Sequence, residues 1–406
     1  MKARSVLVIG AGIQGRAAIH DLERSPDVDR VIAADLDGPA VEQYLGAIAA
    51  KKTEAAAVDV RDPAQLRRLM ARGVGVAIAL VPLKFEAAVA TAAVEAGTNL
   101  VTTNYAQSVA ALDYQARAHG VTIVPEAGFD PGIDLVILAR VLSAFDHVET
   151  LNSYGSGIPA PECKDANVLN YKISWSWEGV LAAYWRPARV ITNGAEVVAA
   201  REEIFRPAWR HEVAVDGVGP LEAYVNGDAV AIAERAGIRG TLRHAGRYTL
   251  RWPGHCDFWQ KLAALGLLDD TPPGDGGLSP REFLSRHLEP QLHYGPAERD
   301  MIILRVDVVG IRQGRRSARR YELVEYRDLQ TGMLAMSRAV GYSASIVAQM
   351  LVSGEIRRLG VASPIHDIPP GQFFEALAGR GIRILEQEID PAECYVPDPA
   401  ARPGSR

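Results

Sequence analysis

Over residues 1–125, short β-branched runs alternate with segments whose apolar positions recur at helical spacing. The runs 5–9, 30–34, 55–58, 75–80, 99–102 and 121–124 predict strands, and 13–24, 63–72, 84–96 and 107–118 predict helices. Alternation at this length implies βαβ units and a parallel sheet. After Pro125 the texture changes. Residues 150–250 are richer in aromatics and in Gly/Pro turns, with strand-like pieces at 149–154 and 247–252, which predicts an α+β domain with a more antiparallel sheet. A Pro/Gly-rich stretch within 266–280 reads as a loop or insertion. Runs 301–309 and 317–326 predict two strands joined by a basic turn at 312–316, and 343–352 predicts an apolar helix. The Pro/Arg-rich end, 397–406, is expected to fray.

Length and charge narrow the function classes. At roughly 100–200 residues per domain, 406 residues make two or three domains, and 48% hydrophobic content is too high for disorder. A net charge of −5 gives no electrostatic footprint for nucleic acid or an anionic membrane surface. No apolar run approaches a membrane span, and the opening 1–9 reads as a first strand rather than a signal peptide. Three scattered cysteines (Cys163, Cys256, Cys394) predict neither a disulfide framework nor a zinc site, and fit a reducing, cytoplasmic setting. Nine histidines include no pair at metal-ligand spacing, so no metal is expected. Only seven of the 44 basic residues are Lys, which weakens the meaning of any lone Arg.

The chemistry-bearing motif is Gly10-Ala11-Gly12-Ile13-Gln14-Gly15, which follows an apolar strand and opens a helix. The first glycine allows a tight turn, the second lets backbone approach a pyrophosphate, and the third lets helix and strand pack closely. Asp35 ends the second strand, followed by Leu36 and Asp37. A carboxylate there accepts hydrogen bonds from adenosine ribose hydroxyls and repels a 2′-phosphate, so the expected cofactor is NAD rather than NADP. Asp59-Val60 after the third strand and Val81-Pro82 after the fourth are expected at the adenine and the nicotinamide ribose, because ligands bind beyond the carboxyl ends of parallel strands.

A dinucleotide site leaves the substrate open. Thr102-Thr103-Asn104-Tyr105 ends the fifth strand and Glu126–Asp134 follows the sixth, both at the same sheet edge. Asp130 reads equally as a helix N-cap, and Asp134 as a first-turn charge. Further on stand Asn170–Trp177 and Arg239-Gly240-Thr241-Leu242-Arg243-His244. Arg239 and Arg243 could clamp carboxylates or lie on a solvated strand.

These stretches, together with 6–15, Leu80-Val81-Pro82, 157–161, Tyr171–Ser176 and Glu298-Arg299-Asp300, resemble the saccharopine dehydrogenase family: its glutamate-forming branch and the related lysine 6-dehydrogenases. The resemblance implies an α/β fold, with an N-terminal Rossmann sheet (1–127) completed by a C-terminal segment (338–396). It implies an inserted substrate and dimerisation domain (128–337, variable insertion 254–298). It implies reversible hydride transfer between nicotinamide and an amine carbon of a lysine-derived small molecule. For saccharopine the imine is hydrolysed to glutamate and aminoadipate semialdehyde; for lysine the ε-amine is lost. A non-catalytic NAD-binding sensor is the reading from another class. The resemblance places substrate contacts on Asn104, Asp130, Arg239 and Thr241. The general base stays open among Asp130, Tyr105, Lys172 and His244, and a second carboxylate clamp among Arg243, Lys172 and Arg186. Related fungal enzymes carry an Arg after the second strand and use NADP, where this chain has Asp35. The aromatics Trp175, Trp177, Tyr184 and Trp185 predict a homodimer interface.

Overall fold

The computed structural model describes residues 4–274 and 276–396 and divides into two compact units: 4–140 with Met336–Arg383, and Val141–Ala335 with the chain from Ile384. The predicted fray at 397–406 lies outside the described residues.

The first unit is a parallel sheet flanked by helices. Its strands and helices alternate as β1 Ser5–Ile9, α1 Ile13–Arg24, β2 Arg30–Asp35, α2 Gly38–Ala47, β3 Thr53–Ala57, α3 Pro63–Met70, β4 Val76–Ala79, α4 Leu83–Glu95, β5 Asn99–Thr102, α5 Asp113–Ala118 and β6 Thr122–Val124. The spatial order is Gly360–Val361, β6, β5, β4, β1, β2, β3, with every pairing parallel. Strand order reverses between β1 and β4, the switch point where such sheets bind ligands. Val6–Ile9 of β1 are wholly buried, as a central strand covered on both faces must be.

Several boundaries differ from expectation. Helix α2 is hidden in the sequence because it opens on Gly38-Pro39, which reads as a turn. Asp37 caps it by accepting the Ala40 N–H at 3.0 Å, and Pro is tolerated in the first turn. The stretch 107–118 is helical only from Asp113, after two short 3₁₀ turns. The Rossmann unit extends past residue 127, through most of helix α6 (Ile133–Ala144), to residue 140. The C-terminal segment also divides differently. Gly360–Val361 completes the parallel sheet, whereas Leu385–Glu388 joins the second unit as an antiparallel partner of Arg319–Glu322. Phe373 and Leu377, in the first unit, are buried, whereas Leu385–Glu388 is exposed along an edge of the second unit's sheet.

The second unit is built on β7 His147–Pro159, α7 Trp177–Ala183, β8 Ala188–Thr192, β9 Ala195–Ala199, β10 Arg210–Val215, β11 Gly219–Val225, α8 Ala229–Arg235, β12 His244–Arg251, α9 His255–Ala264, α10 Pro280–Leu288, β13 Asp300–Arg312 and β14 Arg315–Tyr326. Its main sheet runs β10-β11-β12-β7-β13-β14 and then Leu385–Glu388, antiparallel except for β12 against β7. The basic turn is tighter than expected. Gln313 and Gly314, at φ 53° and 72°, close a two-residue hairpin whose twist matches the strands. The insertion 254–298 holds α9 and α10.

The aromatic surplus expected at a dimer interface is mostly internal. Trp177, Tyr184 and Trp185 are buried in the unit's own core with Tyr171, Phe205 and Trp259, and only Trp175 is exposed. The sequence cannot distinguish a core-facing ring from an interface-facing one at the same spacing.

Candidate active site

The dinucleotide motif has the geometry its glycines require. Gly10 sits at φ 92°, and a Cβ there would meet the Leu80 carbonyl oxygen at 2.3 Å. A Cβ on Gly15 would lie 1.9 Å from the Gly10 oxygen. A Cβ on Gly12, by contrast, would meet no atom within 4 Å, so the backbone faces open space at the start of α1. The strained pair shapes the turn, and the open glycine admits a ligand. Ala11 is buried, while Ile13 is exposed and Gln14 half-buried on the helix's opening turn.

Asp35 is fixed in place. Its Oδ2 accepts the Ala11 N–H at 2.7 Å and its Oδ1 the Asp37 N–H at 3.2 Å. Leu36 beside it is exposed. Val81 is half-buried within contact distance of the Gly10 turn, and Pro82 precedes α4. These residues fit an adenosine ribose and a pyrophosphate. They would hold a dinucleotide by backbone N–H groups and one carboxylate. Asp59 is differently engaged. Its carboxylate grips Arg61 through both oxygens, at 2.7–3.0 Å, and that hydrogen-bonded guanidinium holds it down at about 2. Asp59 and half-buried Val60 stand at the rim beyond β3.

The loop after β6 is zipped to the loop after β5. The Ala127 N–H donates to the Thr102 oxygen and the Glu126 N–H to the Asn104 oxygen, at 2.9 and 3.0 Å. Gly128 and Gly132 then pinch together, and a Cβ on Gly132 would fall 2.0 Å from the Gly128 oxygen. Asp130, ahead of a cis bond to Pro131, is carried at the tip of this pinched loop. The Asp134 carboxylate accepts the Gly132 N–H at 2.7 Å, so Asp134 closes the loop. The first unit therefore gathers Gly10–Gly15, Asp35, Val81, Asn104, Tyr105 and Asp130 along one sheet edge. Asn104 and Tyr105 are both half-buried there.

Lys172, Arg239, Thr241, Arg243 and His244 all belong to the second unit. Lys172 is buried and engaged: its Nζ donates to both Glu298 oxygens, at 2.7 and 2.6 Å, and to the His293 oxygen at 3.2 Å. That hydrogen-bonded ammonium lowers the Glu298 carboxyl. With its Nζ bonded to Glu298 and His293, Lys172 braces two loops of the second unit. Arg239 and Thr241 lie in the turn between α8 and β12, not on a strand. Arg239 donates to the Gly194 oxygen at 3.0 Å and the Thr241 hydroxyl to the Ile238 oxygen at 3.1 Å. Arg243 is exposed, and burial, then Arg243, lowers His244. Arg186 donates twice to Asn226 Oδ1, at 3.0 and 2.8 Å.

A repeated pattern in the sequence gains its meaning only in the fold. Arg-x-Thr-Leu-Arg occurs twice, at 239–243 and at Arg247-Tyr248-Thr249-Leu250-Arg251. The second copy lies on strand β12, and it buries both Arg247 and Arg251 to within a few per cent. Arg247 runs past Gly227, where a Cβ would meet its Cδ and Nε at 3.6 Å, and Thr249 accepts the Asn226 amide at 2.7 Å. Among the described residues, no group of His, Cys, Asp and Glu could hold a metal ion, and no helix is long and apolar enough to cross a membrane.

Two family models together match nearly the whole chain. Residues 6–124 match the saccharopine dehydrogenase NADP binding domain, and residues 128–382 match the saccharopine dehydrogenase C-terminal domain. The chain is 29% identical over 453 residues to the mitochondrial alpha-aminoadipic semialdehyde synthase of Bos taurus, covering 95% of this chain and 48% of that one. It is 27% identical over 455 residues to the saccharopine dehydrogenase (NADP(+), L-glutamate-forming) of Schizosaccharomyces pombe, covering 95% and 99%. The chain spans about half the length of the synthases it matches. Among solved structures, the apo saccharopine dehydrogenase (L-Glu forming) from Saccharomyces cerevisiae superposes with a TM-score of 0.83 at 23% identity, over 95% of this chain and all of that one.

Proposed function

The chain belongs to the saccharopine dehydrogenase family, and on that premise we propose that it is a nicotinamide-dependent oxidoreductase acting on the C–N bond of a lysine-derived amine, with saccharopine as substrate. The observation that carries the reading is the sheet edge that sets the open Gly12 turn and the pinned Asp35 in the same unit as Asn104 and Asp130. Relatives named for saccharopine support the substrate. Lysine, with oxidative loss of its ε-amine, is the alternative, because both molecules release hydride from the same kind of carbon.

The bound nicotinamide supplies one thing, a two-electron acceptor for hydride. This chain's residues do the rest. An amine must be neutral to lose hydride, and the resulting substrate iminium is cationic; Asp130 supplies the nearby carboxylate that stabilises it. Water then adds to the imine carbon with Asp130 or Tyr105 taking its proton, and the carbinolamine's C–N bond breaks as that proton passes to the departing glutamate nitrogen. Asn104 offers an amide to a substrate carboxylate. For the carboxylate contact that the resemblance gives to Arg239, the second unit carries two guanidiniums of one pattern, Arg239 on a surface turn and Arg247 buried on a strand.

We further infer NAD as the preferred cofactor. The matched domain and several relatives are named for NADP, but a fixed carboxylate at Asp35 disfavours a 2′-phosphate. Three cysteines unpaired among the described residues fit a reducing, cytoplasmic setting. A homodimer is part of the reading, tested by sedimentation at micromolar concentration; a monomer there removes it. The function itself is tested by following reduced cofactor formed from saccharopine and from lysine. No turnover of either, with the dinucleotide bound, would favour a sensor instead.

A further inference from the structure

Three helices of the first unit end on one cleft. The last turns of α1, of the helix Ala335–Ser353 and of the helix Pro370–Ala378 all line it, and it encloses about 480 Å³. It lies at the far end of α1 from the Gly12 turn, ~18 Å along a twelve-residue helix. Its floor is the buried Asp21 carboxylate. Asp21 Oδ1 accepts the Arg380 Nε–H at 2.6 Å, and Oδ2 accepts the Ser345 hydroxyl at 2.6 Å and the Gln349 amide at 3.1 Å. The Gln349 oxygen accepts the Ser25 hydroxyl at 2.7 Å, so one network ties the three helices together beneath the cleft. The wall is negative. Among the described residues four carboxylates line it, Asp21, Asp27, Glu355 and Glu375, against two guanidiniums, Arg24 and Arg380. Both guanidiniums are already engaged: Arg380 also donates to the Ala376 oxygen at 2.8 Å, and Arg24 to the His20 oxygen at 3.0 Å. The exposed Glu375 carboxylate makes no hydrogen bond or ion pair among the described residues, and exposed Glu355 accepts the Ser353 hydroxyl at 3.0 Å. The helix ends add to the wall's sign, because the last carbonyls of a helix carry partial negative charge.

We propose that this cleft is a binding site for a small organic dication, a linear diamine or a basic amino acid, seated by its ammonium groups. An ammonium brings three donors and no acceptor, which suits a wall of carboxylates and carbonyl ends. Two ammonium groups match the net charge of −2 left by four acids and two guanidiniums. The acids stand on three different segments, beyond α1, beyond the helix Ala335–Ser353 and on the helix Pro370–Ala378, so a linear molecule with a charge at each end meets more of them than a compact one. Among the described residues no acidic group converges closely enough to hold a metal ion, which favours an organic cation. A dicarboxylate or a phosphate would meet like charge at every helix end. Arg24, exposed on α1, is the group that would face the α-carboxylate of a basic amino acid. Nothing in this site depends on the reaction at the opposite sheet edge.

The probe is 1,5-diaminopentane, titrated by calorimetry into the full chain without nicotinamide, beside pentylamine and glutarate, which keep the chain length with one ammonium and with two carboxylates. One diamine should bind per chain, tenfold or more tighter than pentylamine, and glutarate should not bind. Glu355→Gln with Glu375→Gln, both at exposed positions, should weaken the diamine tenfold or more, with the thermal midpoint unchanged and dinucleotide affinity within threefold. Should the double variant fail to fold, Glu375→Gln alone should weaken the diamine threefold or more. Arg24→Met removes a like charge and should leave diamine binding at least as tight as in the parent. Asp130→Asn separates the cleft from the sheet edge, and diamine binding should survive it. No saturable binding up to about 10 mM diamine, equal binding of pentylamine or glutarate, or an affinity that follows Asp130 rather than Glu355 and Glu375 would overturn the proposal.

Discussion

Asp35 and Ala11 are joined across the dinucleotide turn, the carboxylate of one accepting the backbone N–H of the other at 2.7 Å. The bond ties the end of β2 to the turn after β1, so the carboxylate proposed to read the ribose is fixed to the backbone proposed to approach the pyrophosphate. Steady-state kinetics with both cofactors should show preference for NAD. Asp35→Ser should narrow the gap by removing repulsion, and should weaken NAD by roughly 1.5–3 kcal/mol through lost hydrogen bonds. A clear preference of the parent for NADP would contradict the assignment.

Gly12 and Gly15 should fail in different ways. Gly15→Ala drives a methyl to 1.9 Å from the Gly10 oxygen, so thermal unfolding should show a loss of ~3 kcal/mol or more, from strain at a packed turn. Gly12→Ala meets nothing within the protein. Its stability should stay within about 1 kcal/mol, while calorimetry should show dinucleotide affinity falling at least tenfold.

The two copies of Arg-x-Thr-Leu-Arg should separate by function. If Arg247 holds the carboxylate, Arg247→Lys exchanges a buried guanidinium for a point charge, and kcat/KM for the amino-acid substrate should fall by about 2–4 kcal/mol with dinucleotide affinity nearly unchanged. Arg239→Lys alters an exposed turn bonded to the Gly194 oxygen, and kcat/KM should remain within about threefold, roughly 0.65 kcal/mol. The reverse ranking would return the carboxylate contact to Arg239.

The parallel half of the fold is legible because central strands such as β1 are apolar on both faces and the glycine turn has a fixed spacing. The rest is hidden where local sequence is ambiguous. Gly38-Pro39 spells a turn and begins a helix. Arg239–Arg243 matches a family pattern that a buried strand eight residues later also carries. Lys172 stays open in the sequence between base, clamp and brace, and its partner Glu298 lies 126 residues away. The role of each Arg and of Lys172 depends on contacts distant in sequence, which periodicity and spacing cannot see.

Acid should destabilise the protein through two histidines of the second unit, half-buried His211 and buried His255. His211 is stacked on Tyr395 and lies 3.2 Å from the Tyr154 hydroxyl; burial, then the Arg305 charge, lowers it to about 3. Burial also holds His255 well below its ordinary value. Above pH ~6.5 both states carry neutral rings. As pH falls below that, the unfolded chain takes up protons the folded one refuses, so stability drops progressively until about 3. His211 alone should account for as much as ~4 kcal/mol. Denaturant midpoints for the parent and His211→Phe between pH 7 and 4 should diverge, with the variant falling less steeply; parallel curves would contradict the burial of a neutral ring.

Oxidation of the C–N bond of a lysine-derived amine at this sheet edge, with a nicotinamide cofactor, is open to direct measurement. Absorbance of the reduced cofactor is followed when the purified chain meets NAD with saccharopine or with lysine, paired with assay of glutamate. Reduced cofactor and glutamate are expected in equal amounts from saccharopine, with loss of both in Asp130→Asn. Reduced cofactor from lysine alone would move the substrate to the alternative. No reduction with either amine, although the dinucleotide binds, would contradict the proposed chemistry.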